Sequence, residues 1–172
     1  MDKYGKLIND HTLYFERMLA GPIERVWEYL TDEKKRGLWF AGGSTDLIPK
    51  GEMKLIFHNS TLSPTPEPTP EKYKDFRDGF ESIAIVLKAE PPHLLVLEWE
   101  GIVTFKLEEA GDKVKLTLTH ENLKETKDAR VGTLAGWHTH LDILVDLMNG
   151  REPEGFWSVH MKLEEEYEEK YF

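Results

Sequence analysis

Two histidines, His138 and His140, stand two residues apart in an apolar stretch of the sequence. Imidazoles bind metals, move protons or anchor polar ligand atoms. Helical residues two apart point about 200° away from each other, so these two are not expected to share one metal ion. His138 shares a helical face with Leu141 and Val145, which predicts a polar anchor inside an apolar pocket. The alternative is a core-edge histidine paired with Asp142, one turn further along.

Two carboxylates, Glu98 and Glu100, flank Trp99 in a stretch typical of a strand. Residues on one face of a strand lie roughly 6.5–7 Å apart, a spacing that suits a water-mediated acid–base pair. Trp99 shares its face with Leu95 and Leu97, which favours a solvated, outward pair instead. We therefore predict no catalytic role for the two glutamates.

Other catalytic motifs are missing from the sequence. It has no G-x-S-x-G, no H-E-x-x-H, no phosphate-binding P-loop and no dinucleotide fingerprint. We predict no metal, no cofactor and no enzymatic activity. If the protein acts on a substrate nonetheless, His138 and His120 are the acid–base candidates.

Aromatic side chains are numerous enough to form a cavity wall as well as a core. Large flat rings suit the wall of a site for rings or acyl chains. Trp39 and Phe40 precede Gly42-Gly43 and are the better pocket candidates; ordinary core packing is the alternative for every member. The predicted ligand-binding set is Trp39, Phe40, Phe57, Phe76, Trp99, Phe105, His120, Trp137, His138, Leu141 and Val145.

Periodicity predicts the elements that must position these side chains. A strand at His11–Met18 ends at Gly21-Pro22, and Pro22 begins a helix followed by a short second helix toward Trp39. Alternating residues then predict an antiparallel meander, and apolar residues at helical spacing predict a helix of about 18 residues across Leu134 to Met148. The meander strands are Met53–His58, Glu81–Glu90, Leu94–Glu100, Ile102–Glu109 and Lys113–Glu121.

Two segments depart from this pattern. Residues 58–75 carry prolines at alternate positions, which excludes helix and predicts a long, extended loop. Residues 156–172 are rich in glutamate and predict a helical tail with a solvated acidic face, or a contact with a basic partner. Both segments are expected within one domain covering residues 1–172.

Composition narrows the function classes. The chain has 172 residues, a net charge of −10 and no cysteine. The acidic balance argues against nucleic-acid and anionic-membrane partners, and the lack of cysteine excludes disulfides and thiolate chemistry. No apolar run approaches the roughly 20 residues of a membrane span. We expect a soluble, cytoplasmic protein of unknown oligomeric state.

Three segments in order carry a family resemblance: FERMLAGPIERVWEYLTDEKKRGLWF (15–40), PPHLLVLEWEG (91–101) and GWHTHLDILVDLMNG (136–150). They resemble the START-like helix-grip superfamily (SRPBCC), in the branch related to the activator of the heat-shock-protein-90 ATPase. The resemblance implies an α+β fold with a curved antiparallel sheet of about six to seven strands around a long C-terminal helix. It also implies a cavity between them.

What the resemblance implies about function has three alternatives. The first is non-enzymatic binding of a small hydrophobic or amphipathic molecule in the cavity, in a family linked to stress response. The second is a co-chaperone that binds a chaperone and changes its ATPase rate. The third is a cavity enzyme, a cyclase, hydrolase or dehydratase, acting on a hydrophobic substrate. Fold alone does not decide among them.

Overall fold

The computed structural model describes residues 2–172 as a seven-stranded antiparallel sheet with four α-helices. The strand order across the sheet is β1-β2-β7-β6-β5-β4-β3. The strands are β1 (Lys6–Asn9), β2 (Thr12–Ala20), β3 (Glu52–Phe57), β4 (Phe80–Glu90), β5 (Leu94–Glu98), β6 (Ile102–Ala110) and β7 (Lys113–Glu121). The helices are α1 (Ile23–Thr31), α2 (Glu33–Gly37), α3 (Lys127–Met148) and α4 (Phe156–Tyr171).

Strict alternation explains the curved, one-sided sheet. In β7, Val114, Leu116 and Leu118 are buried, whereas Lys113 and Lys115 on the other face are not. The central strands pair in continuous antiparallel register. The buried face is covered by α3, which confirms the α+β helix-grip architecture that the sequence predicted.

Side-chain caps fix where the helices begin. The carboxylate of Asp32 accepts hydrogen bonds from the backbone amides of Lys34 and Lys35 at 3.1 and 3.0 Å, which starts α2. Thr126 accepts from the Ala129 amide at 3.3 Å and starts α3. These caps satisfy backbone donors that the first helical turn leaves without partners.

Several strand ends differ from the sequence prediction by one or two residues, and two differences matter for the fold and the candidate site. The first strand, β1, was not predicted, because its four residues show no one-sided pattern. The fifth strand ends at Glu98 instead of Glu100, since the chain turns at Glu100 and Gly101, both with positive φ. Glu98 and Glu100 therefore do not lie on one face of a continuous strand, and the spacing argued for them does not hold.

The helices also differ in how much surface they bury. Helix α3 has 22 residues, against about 18 predicted, and is buried on more than one face because α4 packs alongside it. Helix α4 is not only a solvated acidic tail: one side, with Trp157, Leu163 and Tyr167, is buried. Among residues 2–172, no helix combines the length and apolar character needed to cross a membrane.

The proline-rich segment runs along α4. It contains two short 3₁₀ helices, Asn59–Thr61 and Glu71–Phe76. Ser63 donates a hydrogen bond to the carbonyl of Pro153 at 3.0 Å, just before α4. Such bonds hold the proline-rich segment against α4. The segment is therefore packed against the domain and is not a loop that extends freely into solvent.

Candidate functional site

A cavity of about 480 Å³ lies between α3, α4, the proline-rich segment and the ends of the central strands. Most of its wall is aromatic, and the rings come from seven separate parts of the chain. The lining aromatic residues are Phe40, Phe57, Tyr73, Phe76, Phe80, Trp99, Trp137, Phe156 and Trp157. Small-molecule sites commonly have this size and this apolar character.

Two glycines in the middle of α3 make room for the cavity. Gly132 and Gly136 are one turn apart, and His140 continues the same row. All three line the cavity. A methyl group at either glycine would meet no atom closer than 3.9 Å, an ordinary van der Waals contact, so it fits there without displacing a neighbour. Glycine costs about 1 kcal/mol relative to alanine inside a helix, and here it leaves volume for the cavity.

The aromatic wall is ordered by ring packing. Phe40 stacks on Trp137 with centroids 5.0 Å apart, and Phe57 stacks on Trp99 at 5.8 Å. On the opposite side, Tyr73 of the proline-rich segment stacks on Trp157 of α4 at 5.0 Å. Interlocked rings of this kind form a preorganised flat surface for another ring.

Indole N–H groups around the cavity are already hydrogen-bonded to the protein. Each of the three tryptophans donates to a neighbouring side chain at 2.8–3.0 Å. The pairs are Trp99 with Ser82 Oγ, Trp137 with His120 Nδ1, and Trp157 with Ser60 Oγ. The tryptophans therefore offer the cavity their rings and not their N–H groups.

His120 is fully engaged as well. Because its Nδ1 accepts from Trp137, its Nε2 carries the proton and donates to the Glu100 carbonyl at 2.9 Å. Burial lowers the pKa of His120, which keeps the ring neutral. His120 holds Trp137 in place and closes the turn after β5.

His140 lies at the enclosed end of the cavity. The ring is 5 % exposed, and its Nδ1 lies 2.8 Å from the carbonyl oxygen of Trp39, to which it donates. Burial lowers the pKa of His140 to about 4, so the ring is neutral at pH 7. With the proton held on Nδ1, the Nε2 lone pair is an acceptor.

A second polar group joins α4 to the proline-rich segment. His160 Nε2 lies 3.0 Å from Glu164 Oε1 and 3.1 Å from the Tyr73 hydroxyl, which itself hydrogen-bonds Glu164. Lys72 reaches the same carboxylate at 2.9 Å. Burial opposes ionisation of Glu164, but hydrogen bonds from His160, Tyr73 and Lys72 outweigh it and lower its pKa to about 2.

Six of the eleven sequence-predicted residues line this cavity. They are Phe40, Phe57, Phe76, Trp99, His120 and Trp137. His140, His160 and Glu164 were not among the residues that the sequence pattern predicts for the site. One signal for His160 and Glu164 was available in the sequence. The two residues lie four apart, a spacing that places them next to each other on one face of a helix.

Five predicted residues do not line the cavity, which corrects that part of the prediction. Trp39 and Phe105 are core residues behind the wall, and their rings pack edge to face at 6.5 Å. Leu141 is completely buried in the core. Val145 lies at a separate, charged depression with Asp146.

His138, the fifth, points away from the cavity. Its Nε2 lies 3.3 Å from Asp142, the alternative that the sequence left open, and its Nδ1 lies 2.7 Å from the Tyr167 hydroxyl. Arg17 reaches the same carboxylate at 3.1 Å. Residues two apart on a helix face opposite sides. His140 lies on the side of α3 that faces the cavity, so His138 lies on the side that faces away from it. Within residues 2–172, no cluster of three or more potential metal ligands occurs.

Comparisons place the chain among known folds. Residues 20–149 match the family model "Activator of Hsp90 ATPase homolog 1-like protein". A Bordetella parapertussis protein encoded by gene BPP1335 is 35 % identical, with a TM-score of 0.82 over 99 % of this chain and 92 % of that chain. No curated protein matches the sequence.

Two more distant structures share the fold. CalU16 from Micromonospora echinospora is 20 % identical, with a TM-score of 0.62 over 96 % of this chain and 92 % of that chain. DynU16, a protein in the dynemicin biosynthetic locus, is 18 % identical, with a TM-score of 0.63 over 84 % of this chain and 49 % of that chain.

Proposed function

Because the chain belongs to the family of Activator of Hsp90 ATPase homolog 1-like proteins, we propose that it binds a small apolar or amphipathic molecule in the aromatic cavity beside α3. The fold family includes ligand-binding and cyclase-like members. The fold therefore does not decide between binding and catalysis, and either function must be argued from the site. The observation that carries the proposal is the cavity of about 480 Å³ with nine aromatic residues in its wall.

The neutral character of the enclosed end supports an apolar ligand. His120 and His140 are both uncharged at pH 7, and the three indole N–H groups are turned to protein partners. Charged side chains, including Lys72, Lys124 and Asp128, stand where the cavity opens. A molecule with a ring system inside and a polar end outside fits this gradient.

The test is to fill the cavity from α3. N-phenyl-1-naphthylamine, a neutral dye that fluoresces in apolar sites, serves as the probe. Gly136→Leu places a branched side chain beside His160 in the cavity wall and is expected to weaken dye binding at least tenfold. Gly136→Ala is the matched control, because its single methyl group leaves most of the volume. Equal dye affinity in wild type and Gly136→Leu would place the ligand elsewhere.

The His160–Glu164 pair favours a second candidate, a cavity enzyme that removes a proton from its substrate. A carboxylate that accepts from Nε2 orients the ring and leaves Nδ1 as the basic nitrogen, an arrangement suited to general-base catalysis. The probe is 2-tetralone, a neutral bicyclic ketone with exchangeable hydrogens beside its carbonyl. Enzyme-dependent deuterium exchange, followed by NMR and lost in His160→Gln, would support it. Exchange at the buffer rate would reject it.

A further inference from the structure

Hydrogen-bond donors around the cavity are used up within the protein. Besides the three indoles, Thr133 donates its hydroxyl to the Ala129 carbonyl at 2.7 Å, and Tyr73 donates to Glu164. His120 donates to Glu100. At the opening, Lys72 is paired with Glu164 at 2.9 Å and Lys124 with Glu100 at 3.3 Å. Inside the cavity a ligand therefore meets few free donors, and the remaining N–H groups of Lys72 and Lys124 lie at its opening.

Acceptors are left over in the same wall. No group among residues 2–172 hydrogen-bonds Nε2 of His140, the nitrogen without a proton. His160 is 5 % exposed, and its Nδ1 has no protein partner. Since the Glu164 carboxylate can only accept, Nε2 of His160 carries a proton, and in the neutral ring Nδ1 is an acceptor. The side-chain oxygen of Asn59, in the proline-rich wall, is buried and unpartnered too.

The excess of unpartnered acceptors over free donors determines which ligand groups the cavity can bind. An unpartnered buried acceptor costs about 1–3 kcal/mol, and a ligand that supplies a donor recovers part of it. A ligand carboxylate or phosphate brings only acceptors and negative charge to the same atoms. The cost of burying an unpaired charge there is larger still.

We infer that the cavity selects neutral ring compounds that carry hydroxyl or N–H donors on their buried end, and that it rejects compounds that would place a carboxylate at that end. The inference rests on the proposed function, because it assumes that the aromatic cavity is the binding site. It adds the polarity of the ligand: His140 Nε2 and His160 Nδ1 are the atoms that accept from it.

Three compounds on one ring system test the selection. 2-Naphthol carries a donor, 2-methoxynaphthalene has the oxygen without its hydrogen, and 2-naphthoate is an anion. By calorimetric titration at pH 7, 2-naphthol is expected to bind about tenfold more tightly than 2-methoxynaphthalene, the equivalent of one hydrogen bond. 2-Naphthoate is expected to bind at least tenfold more weakly than 2-methoxynaphthalene.

Variants then assign the selection to its atoms. His140→Phe and, separately, His160→Phe keep a ring of similar shape and remove the acceptor. Each is expected to reduce the preference for 2-naphthol over 2-methoxynaphthalene severalfold while 2-methoxynaphthalene still binds. The wild-type ranking is informative even if one variant fails to fold.

The outcomes separate this inference from the proposed function. If the naphthalenes bind and Gly136→Leu abolishes their binding, but 2-naphthoate equals or exceeds 2-naphthol, the cavity is the site and the acceptor inference is overturned. If no naphthalene binds, or if Gly136→Leu leaves their binding unchanged, the proposed function fails, and the acceptor inference fails with it.

Discussion

A methyl group added at Gly136 of α3 would lie 3.9 Å from Cε1 of His160 on α4. Ordinary van der Waals contact begins at about this distance. The glycine therefore lets α3 and α4 approach each other here without a clash, and the helices also pack through Phe156 and His140, whose rings are 4.9 Å apart.

The first prediction is that Gly136→Ala stabilises the protein. Alanine has the higher helix propensity, and the added methyl group meets no obstruction. We expect the free energy of unfolding to rise by about 0.5–1 kcal/mol, measured by urea denaturation. Gly101→Ala is the contrasting control: its φ is +118° and a methyl group would meet the Glu121 carbonyl at 2.1 Å, so it should destabilise. A loss of stability in Gly136→Ala would show that the space beside α3 is not open.

The second prediction concerns the carboxylate that joins α4 to the proline-rich segment. Glu164→Gln removes the charge that Lys72 and the hydrogen bonds of His160 and Tyr73 stabilise. We expect a loss of about 1–3 kcal/mol in the free energy of unfolding, because hydrogen bonds to charged groups are stronger than neutral ones. Urea denaturation measures it. Glu165→Gln, one residue along on the exposed face, is the control and should change stability by less than about 0.5 kcal/mol.

Glu164→Gln is also expected to loosen the proline-rich segment, which limited proteolysis measures independently of urea denaturation. Proteolysis should cut within residues 59–79 more readily in this variant than in Glu165→Gln, because Lys72 and Tyr73 lose the charged partner. Equal cleavage in both variants would mean that Ser60 and Ser63, through Trp157 and Pro153, hold the segment without Glu164.

The strands and the aromatic half of the site followed from local pattern. Val114, Leu116 and Leu118 alternate with lysines and threonine, so β7 was predicted with its observed bounds. Phe57 and Trp99 were assigned to the cavity or core on the same kind of evidence. The alternation of apolar and polar residues identifies a half-buried strand from its own sequence, without information about distant contacts.

The polar half of the site could not be predicted in the same way. The sequence favours His138 as the cavity histidine because it shares a helical face with Leu141 and Val145, but which of His138 and His140 meets the cavity depends on how α3 is rotated against the sheet and α4. His160 and Glu164 gain their partners from Lys72 and Tyr73, about 90 residues earlier in the chain. A glutamate-rich helix suggests a solvated face, and the buried stripe that includes Tyr167 depends on packing that only the fold supplies.

The third prediction separates the core from the cavity. Leu141 is completely buried, so Leu141→Trp overpacks the core and is expected to cost about 1–3 kcal/mol in the free energy of unfolding. Its folded fraction should bind N-phenyl-1-naphthylamine with nearly wild-type affinity. Gly136→Leu should show the reverse, with stability largely kept and dye affinity lost. Loss of dye binding in a well-folded Leu141→Trp would mean that the cavity extends to Leu141.

The fourth prediction is a loss of stability in mild acid, with His140 as a main source. The pKa of His140 is about 4 in the folded protein and near 6.5 in the unfolded chain, so between these values the unfolded chain binds more protons. The associated stability is intact above pH 6.5, falls as the pH drops toward 4, and changes no further below that. Its size is about 3 kcal/mol, and His120 acts in the same direction because burial also lowers its pKa.

Glu164 contributes to stability in a lower pH range than His140, so the contributions of the two residues can be measured separately. Its pKa is about 2 when folded and 4.5 when unfolded, so its contribution is present above pH 4.5 and is lost as the pH falls toward 2. Urea denaturation at steps from pH 7 to 3 measures both. His140→Gln should flatten the curve between pH 6.5 and 4, and Glu164→Gln should flatten it only below about pH 4.5. An unchanged slope between pH 6.5 and 4 in His140→Gln would mean that His140 takes up a proton in the folded protein as easily as in the unfolded chain, and that the end of the cavity admits charge.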